Sequence, residues 1–211
     1  MSLLFDESPL IGGTVFAIIG VSWATKSHIA ILVVSAIILL FLLYFYRYTP
    51  IDVGPVDNNV MICPCEGTVL NVTERYDYYY IAIFLSPFNK HYQIYPVNGK
   101  VIKREYDRTG QFNVVMNLGK SRDNEKKLHY ILMYNDAVIL MTQIAGFLPR
   151  VIVSSDENMI VEAGDYLGMI KFGSRVDLII PKKAPDGSEF VLDIEVDDCL
   201  ELGDYIGQYV K

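Results

Sequence analysis

The strongest constraint on the fold is an abrupt change in the character of the sequence at Pro50. Before it, an uninterrupted apolar and aromatic run extends from Ile29 to Tyr46 and is followed by Arg47. A run of about 18 such residues matches the hydrocarbon thickness of a bilayer, and it lacks the polar face that a buried core helix usually keeps. The run therefore predicts a transmembrane helix over residues 29–46.

A weaker apolar stretch precedes this run, over residues 10–25, and Lys26 to His28 separate the two. The sequence leaves open whether both cross a membrane as a helical hairpin. A cleaved signal peptide is disfavoured because Asp6 and Glu7, rather than basic residues, come before the first apolar run. Residues 1–49 are therefore predicted to form a membrane anchor.

Beyond Pro50 the sequence consists of short segments rich in Val, Ile and Tyr, separated by Gly, Pro, Asn and Asp. This pattern is typical of strands joined by turns. It predicts a mainly β domain over residues 50–211, folded as a compact sandwich or barrel, with residues 51–59 as a linker and no internal repeat. The predicted strands are Val69–Val72, Tyr78–Leu85, Lys100–Arg104, Val114–Asn117, His129–Tyr134, Ala137–Ile144, Val151–Ser154, Tyr166–Lys171, Val176–Ile180 and Phe190–Val196.

Charge and cysteine content narrow the classes of partner. The formal net charge is −7, so general attraction to nucleic acid is not expected, and no nucleic-acid partner is predicted. Cys63, Cys65 and Cys199 lack the spacing of a disulfide framework, which favours a reducing compartment. With only three histidines in the chain, these cysteines do not indicate a metal site.

The bond between Gly173 and Ser174 lies inside an apolar, strand-like segment and can react with its own serine. If the Ser174 hydroxyl is held against the Gly173 carbonyl, its attack converts the amide into an ester. Elimination of the ester, followed by hydrolysis that releases the serine nitrogen as ammonia, then leaves a pyruvoyl group at the new N-terminus. Gly-Ser pairs are common in turns, so this pair needs support from the rest of the sequence.

Three other segments stand in order around that bond. They read Ile-Cys-Pro-Cys-Glu-Gly-Thr-Val over residues 62–69, Ser-Pro-Phe-Asn-Lys-His at the start of residues 86–99, and Gln-Ile-Ala-Gly over residues 143–146. Together with Phe-Gly-Ser-Arg-Val-Asp over residues 172–177, they resemble the phosphatidylserine decarboxylase family, most closely its short form that is cut at a Gly-Ser bond. The resemblance covers residues 40–181.

The resemblance implies a self-processing phosphatidylserine decarboxylase whose precursor is cut into a large and a small chain. Ser174 would be the nucleophile and would become the covalent pyruvoyl cofactor, with neither pyridoxal phosphate nor a metal. The pyruvoyl carbonyl would form a Schiff base with the amine of a serine-headgroup lipid and act as an electron sink for loss of carbon dioxide, giving phosphatidylethanolamine. The membrane is the implied partner, and a homo-oligomer is left open.

The same resemblance assigns the groups that would activate the serine. His91 falls where the family places the base. The family usually has Pro-Ala-Asp-Gly where this chain has Pro-Cys-Glu-Gly, so Glu66 would orient the histidine in place of the usual aspartate. Ile94 stands where many members have a polar residue. If that residue assists headgroup binding or proton delivery in the family, this protein must use Gln93, Tyr92 or a residue outside the motif.

The Gln-Ile-Ala-Gly segment has two readings. In the family it packs near the pyruvoyl group, which places Gln143, Ile144, Ala145 and Gly146 beside the site. Small residues at the end of an apolar strand also permit a turn or a close backbone approach without any part in chemistry.

Two other functions fit parts of the sequence. The departures at Glu66 and Ile94 also fit an inactive family member that acts as a membrane-bound scaffold. Residues 161–170 look like the half-motif of a biotinyl or lipoyl barrel, which would indicate a carrier or an adaptor. Such a carrier needs a lysine at a hairpin tip, and neither Lys100 nor Lys171 has the expected neighbours.

Overall fold

A computed structural model describes residues 29–108, 110–111, 113–146, 152–154, 159–170 and 174–211, with a few helical positions before residue 22. Gly173 and almost all of the apolar stretch at residues 10–25 lie outside the described residues. The chain divides into two compact units, Met1–Thr49 and Pro50–Lys211.

The first unit contains helix α1, Ile29–Phe45, whose 17 residues fall within the predicted span at residues 29–46. Large apolar side chains on this helix are exposed, among them Val34, Ile37 and Leu40. Among the residues that the structure describes, no helix has the length and apolarity needed to cross a membrane.

The second unit is mainly β, as the sequence predicts; its more specific description as a sandwich or barrel stays a prediction. One short 3-10 helix, Lys120–Asp123, interrupts the described strands. The strands are β1 (Val60–Ile62), β2 (Gly67–Glu74), β3 (Tyr78–Leu85), β4 (Tyr92–Ile94), β5 (Gly99–Asp107), β6 (Lys126–Met133), β7 (Val138–Ala145), β8 (Ile152–Ser154), β9 (Ile160–Val161), β10 (Tyr166–Ile170), β11 (Ser174–Pro181), β12 (Glu189–Leu192), β13 (Cys199–Leu200) and β14 (Tyr205–Val210).

One predicted strand is wrong. Val114–Asn117 forms a turn, in which the Asn117 amide donates to the Val114 carbonyl at 3.0 Å and the Asn117 side chain accepts from the Lys120 amide at 3.1 Å. Asparagine favours such turns because its side chain bonds to nearby backbone. The other predicted segments overlap strands, whereas β1, β4, β9, β13 and β14 were not predicted; the first four are too short for an alternating pattern to be read.

The strands form three sheets around one core. The central sheet has the order β13-β2-β3-β11-β7-β6-β5-β9, and the two small sheets have the orders β1-β14-β12 and β4-β10-β8. The core joins side chains from all three, including Ile81 and Leu178 of the central sheet, Ile206 of the first small sheet and Leu167 of the second. Burial of this shared apolar surface is the main force that holds the sheets together.

The strand order describes two related halves. We call residues 60–85 and 174–210 the split half, and residues 92–170 the inserted half, because the second interrupts the first. The split half supplies β13-β2-β3-β11 from the edge of the central sheet to its middle, and the inserted half supplies β9-β5-β6-β7. Each half also forms one of the small sheets. The expectation that the chain has no internal repeat is therefore wrong.

Backbone hydrogen bonds repeat in the same way. The Ile62 amide donates to the Pro96 carbonyl at 2.9 Å, and the Ile94 amide donates to the Pro64 carbonyl at 3.0 Å. The two halves thus exchange one equivalent bond in each direction. The sequences at these places, Ile-Cys-Pro-Cys-Glu-Gly and Ile-Tyr-Pro-Val-Asn-Gly, share only the isoleucine, the proline and the glycine.

A second pair of equivalent segments forms two tight turns, Glu-Ala-Gly-Asp-Tyr-Leu-Gly from residue 162 and Glu-Leu-Gly-Asp-Tyr-Ile-Gly from residue 201. Gly164 and Gly203 have φ angles of 97° and 90°, which a side chain would strain. A Cβ at either glycine would also lie within 2.7 Å of the Val53 side chain. The repeats are short and unequally spaced, so the sequence alone hides them.

The chain crosses between the halves twice. It leaves the split half over residues 86–91 and returns over residues 171–173. The end of the first crossing lies beside the start of the second, because the Ile170 amide donates to the His91 carbonyl at 3.2 Å. The predicted cleavage bond and the predicted base therefore belong to neighbouring connections.

Candidate active site

Ser174 is the first residue of β11, immediately after the second crossing. It pairs with Leu85 of β3 on one side and Ala145 of β7 on the other, and its side chain is fully buried. Strand alternation directs this side chain to the same face as the core residues Val176 and Leu178. Its Oγ has no hydrogen-bond partner among the described residues, which is a costly state for a buried hydroxyl.

His91 is fully buried at the end of the first crossing. Its Nδ1 lies 2.9 Å from the carbonyl oxygen of Asn89. A carbonyl oxygen only accepts, so Nδ1 donates this bond. In the neutral ring the acceptor lone pair then resides on Nε2, which is the tautomer that a general base requires.

Asn89 connects His91 to Glu66. Residues 86–89 form a turn in which the Asn89 amide donates to the Ser86 carbonyl at 3.0 Å, and the Ser86 amide donates to Asn89 Oδ1 at 2.8 Å. Asn89 Nδ2 donates to Glu66 Oε1 at 3.0 Å, and Glu66 Oε2 lies 3.5 Å from Lys90 Nζ. Sequence reasoning missed Asn89, although the run Ser-Pro-Phe-Asn contains residues typical of a turn.

Gly67, next to Glu66, allows β2 and β3 to approach closely beside the site. A Cβ at this position would collide with the carbonyl oxygen of Phe84. The inserted half repeats the arrangement, because a Cβ at Gly99 would collide with the carbonyl oxygen of Leu132. Both glycines are therefore needed for strand contact.

Gln143 belongs to a buried chain of side-chain hydrogen bonds that ends at His91. Arg104 Nε donates to His129 Nδ1 at 3.1 Å, and arginine only donates, so His129 Nε2 carries the proton and donates to Gln143 Oε1 at 2.8 Å. Gln143 Nε2 donates to Gln93 Oε1 at 2.7 Å. Gln93 Nε2 donates to the His91 carbonyl at 2.8 Å. Every bond of this chain runs in one direction.

His129 Nδ1 accepts from Arg104, and a protonated imidazole has no nitrogen that can accept. The direction of these bonds therefore requires His129 to be neutral. Burial lowers the pKa of the His129 imidazole to about 3, the nearby positive charge of Arg104 works in the same direction, and the bond to Gln143 opposes both. Gln93 is likewise committed, because it accepts from Gln143 and donates to His91. This series of hydrogen bonds therefore fixes the backbone of His91 from the side of the inserted half.

The remaining residues of the Gln-Ile-Ala-Gly segment are also buried. Ile144 pairs with Arg175, and Ala145 pairs with Ser174, so both lie beside the start of β11. Gly146 follows the end of β7. The structure thus brings the segment to Ser174, while the parts that its members take in chemistry stay predictions.

The two lysines proposed for a carrier do not support that alternative. Lys100 lies within β5, paired with Leu132 and Ile160, and is not at a hairpin tip. Lys171 lies outside the described residues. The lipoyl-like segment itself is one of the two repeated turns, between β9 and β10.

The cysteines and acids form no metal centre in the part of the chain that the structure describes, where no group of three or more His, Cys, Asp or Glu side chains could hold an ion. Cys63 and Cys65 are buried, and Cys63 Sγ donates to the Cys65 carbonyl at 3.0 Å. Burial raises the pKa of the Cys65 thiol well above its ordinary value. Cys65 is therefore held as a thiol.

Comparison with known proteins gives a consistent result. The family model for phosphatidylserine decarboxylase matches residues 38–208, beyond the range of the motifs. The chain is 40% identical over 162 residues to the phosphatidylserine decarboxylase proenzyme of Cytophaga hutchinsonii, covering 73% of each chain. It is 35% identical over 171 residues to that of Prosthecochloris aestuarii, covering 76% of each.

A longer alignment, to the phosphatidylserine decarboxylase proenzyme of Chlorobium luteolum, is 32% identical over 195 residues and covers 84% of this chain and 88% of the relative. No solved structure matches. The family match spans both halves of the β unit and includes Ser174, His91 and Glu66. The resemblance inferred from the motifs is thus confirmed, and the chain belongs to the phosphatidylserine decarboxylase family.

Proposed function

We propose that this protein converts phosphatidylserine into phosphatidylethanolamine, using a pyruvoyl group that it forms by cutting itself between Gly173 and Ser174. The observation that carries the proposal is Ser174, a fully buried hydroxyl at the start of β11 with no hydrogen-bond partner among the described residues. The relatives named above are proenzymes, which agrees with a precursor that is cut.

His91 is the base that activates Ser174 in this proposal. The bond from its Nδ1 to the Asn89 carbonyl leaves the acceptor lone pair on Nε2. His91 takes the proton from Ser174 Oγ as that oxygen attacks the Gly173 carbonyl. Removing a positioned base of this kind typically costs about 10²–10⁴-fold in rate.

Glu66 supports His91 through the turn at residues 86–89. Its carboxylate holds the Asn89 side chain, and the Asn89 carbonyl in turn holds the imidazole. The negative charge also favours the imidazolium that forms when His91 accepts a proton. A glutamate in place of the family's usual aspartate is long enough to reach Asn89 from the position just before β2.

The Ser174 position suits a covalent pyruvoyl group. Pairing with both Leu85 and Ala145 keeps the start of β11 in place after the preceding bond is cut, and burial shields this position from water. The pyruvoyl carbonyl supplies the electron sink that decarboxylation of an amino acid headgroup requires. No pyridoxal phosphate or metal takes part in the proposal.

We also propose that residues 29–46 hold the protein at a membrane, where its lipid substrate resides. The support is the apolar surface of α1, on which Val33, Ile37 and Leu40 are exposed. The three cysteines are free, which suits a catalytic unit in a reducing compartment.

The proposal is tested with purified protein and vesicles that contain phosphatidylserine. The wild type should release carbon dioxide and accumulate phosphatidylethanolamine, detected by lipid mass spectrometry. Ser174→Ala should be inactive and should keep its full length, because it lacks the hydroxyl. A wild type that stays uncut and inactive on these vesicles would favour the membrane-bound scaffold instead.

A further inference from the structure

A buried ionic cluster lies behind the start of β11, on the face opposite to Ser174. Arg175 is fully buried, and its guanidinium donates to both carboxylate oxygens of Asp177, through Nε at 2.7 Å and through Nη2 at 3.0 Å. Tyr80 of β3 donates its hydroxyl to the same carboxylate at 2.8 Å. Alternation along the strand places Arg175 and Asp177 on one face and Ser174 on the other.

Arg175 also holds a loop, residues 113–124, which we call the clamp loop. Its Nη1 donates to the Val115 carbonyl at 2.8 Å and to the Ser121 hydroxyl. The other end of the clamp loop is held by Asn124, whose side chain donates to the Ala145 carbonyl at 2.9 Å. Ala145 is the residue that pairs with Ser174. The clamp loop is therefore fixed to both strands at the level of Ser174.

The inserted half shows that the fold does not require this cluster. Phe84 and Leu132 occupy equivalent places in the two halves, and they pair with Arg175 and Val138 respectively. Two residues further along, the position of Asp177 corresponds to Leu140. The same strand geometry thus forms with apolar residues in place of a buried ion pair.

A buried ion pair is weak evidence for stability, because removing two charges from water costs as much as their attraction returns. Burial raises the pKa of the Asp177 carboxyl, against the favourable influence of Arg175. A well-packed apolar pair of similar volume is often at least as stable as a buried ion pair. The cluster therefore needs a reason beyond stability.

We propose that Arg175 is a positioning residue for maturation and for decarboxylation. With the clamp loop it fixes the start of β11 from behind, so that Ser174 is aimed correctly before the cut and the new terminus keeps its place after it. The proposal rests on the proposed cleavage between Gly173 and Ser174. Once that bond is cut, the terminus loses its covalent restraint, and a displacement of about 1 Å can cost about a hundredfold in rate.

The main test is the double variant Arg175→Val with Asp177→Leu, which gives the split half the residue types of the inserted half and leaves no charge unpaired. We expect it to fold, to mature more slowly, and to decarboxylate phosphatidylserine in detergent micelles with kcat lowered at least about tenfold and KM changed by less than about threefold. Val138→Ala is the matched control, and its kcat and maturation rate should equal those of the wild type.

Arg175→Lys is the second variant, because it keeps the charge beside Asp177 but loses the planar fork that reaches the clamp loop. It should fold, mature more slowly than the wild type, and show faster amide hydrogen exchange in residues 113–124. These measurements decide the question if the double variant does not fold. Wild-type maturation and kcat in either folded variant would overturn the proposal.

The same experiments distinguish a failure of the proposed function from a failure of the positioning role of Arg175. An uncut, inactive wild type would refute the cleavage, whereas a wild type that is cut and active beside equally active Arg175 variants would refute only the positioning role. Even if the wild type is uncut, the clamp loop can be tested by amide hydrogen exchange. Equal exchange rates of this loop in Arg175→Lys and in the wild type would refute its fixation by Arg175.

Discussion

The two halves of the β unit share a fold and differ in how one hairpin is closed. In the inserted half, a turn that includes Asn135 and Asp136 joins β6 directly to β7, and the Met133 amide donates to the Ala137 carbonyl at 2.9 Å. In the split half the equivalent strands, β3 and β11, are not joined, and the whole inserted half lies between them in sequence. The candidate chemistry lies at this opening.

Equivalent positions make the difference specific. Ser174 corresponds to Ala137, and Glu66 corresponds to Asn98. Asn98 has structural contacts only among those described: its side chain donates to the Val56 carbonyl at 2.7 Å and accepts from the Ala163 amide at 2.8 Å. Because the strand pairing forms without a hydroxyl or a carboxylate at these places, the two polar residues of the split half are best explained by function.

The largest effect is expected at the first crossing. His91→Ala removes the proposed base, so maturation should slow by about 10²–10⁴-fold. The fraction of cut chain should be followed over time after cell-free synthesis in the presence of vesicles. Maturation at the wild-type rate would show that His91 has only a structural role. His129 would then be the next histidine to test as the base, although it lies on β6 of the inserted half.

A somewhat smaller effect is expected at Glu66. Glu66→Gln keeps the size of the side chain but removes the charge that favours the imidazolium, so maturation should slow on the order of a hundredfold. Asn98→Ala, at the equivalent place in the inserted half, is the control and should lower stability without slowing the cut. Normal maturation of Glu66→Gln would show that the carboxylate comes from elsewhere or is dispensable.

Glu66→Asp sharpens the same comparison. The shorter side chain restores the usual family residue but withdraws the carboxylate from Asn89, which Glu66 contacts at 3.0 Å. Slower cleavage than in the wild type would mean that the backbone around this site is adjusted to the length of glutamate. Equal cleavage would mean that the backbone already suits either acid.

Substitutions at the equivalent glycines Gly67 and Gly99 distinguish an effect on stability from an effect on maturation. Gly67→Ala and Gly99→Ala each force a Cβ against a backbone carbonyl, so each should lower the free energy of unfolding by about 1–3 kcal/mol. The two losses should be similar in chemical denaturation of the Ser174→Ala background. Only Gly67→Ala, beside Glu66, should slow maturation by several-fold when Ser174 is present; equal slowing by both would erase the functional distinction between the halves.

The last prediction concerns acid stability rather than maturation. His129 has a pKa near 3 in the folded protein and near 6.5 when unfolded, so the unfolded chain binds the extra proton first as pH falls. The free energy of unfolding should therefore decrease from about pH 6.5 towards pH 3, with this residue contributing up to about 1.4 kcal/mol per pH unit. His129→Gln should flatten the profile measured by urea unfolding, and an unchanged profile would contradict the neutral, buried assignment.

Much of the fold could be predicted from the sequence because its signals are local. A run rich in Ile and Tyr predicted Tyr78–Leu85 to the residue, and Ser174 of the Gly-Ser segment is the first residue of β11. The relation between the halves could not be predicted, since it rests on pairings between distant segments such as Gly67 with Leu200. Sequence spacing gives no measure of such contacts.

The candidate site divides in the same way. Glu66, His91 and Ser174 were given their roles by the match to the family's motifs, and those roles stay predictions. Asn89 and the Gln93–Gln143 bond were missed, because a hydrogen bond between side chains 50 positions apart is visible only once the sheets are assembled. Gln93 was considered for headgroup binding, whereas its contacts commit it to holding the His91 carbonyl.

The central claim is that the opening between β3 and β11 is a self-cleaving site. It is tested most directly by the intact mass, under denaturing conditions, of the full chain purified from membranes. The account predicts two chains for the wild type, residues 1–173 and residues 174–211, with the second beginning in a pyruvoyl group, and one uncut chain for Ser174→Ala. A wild type that remains a single full-length chain, or one that is cut at another bond, would contradict it.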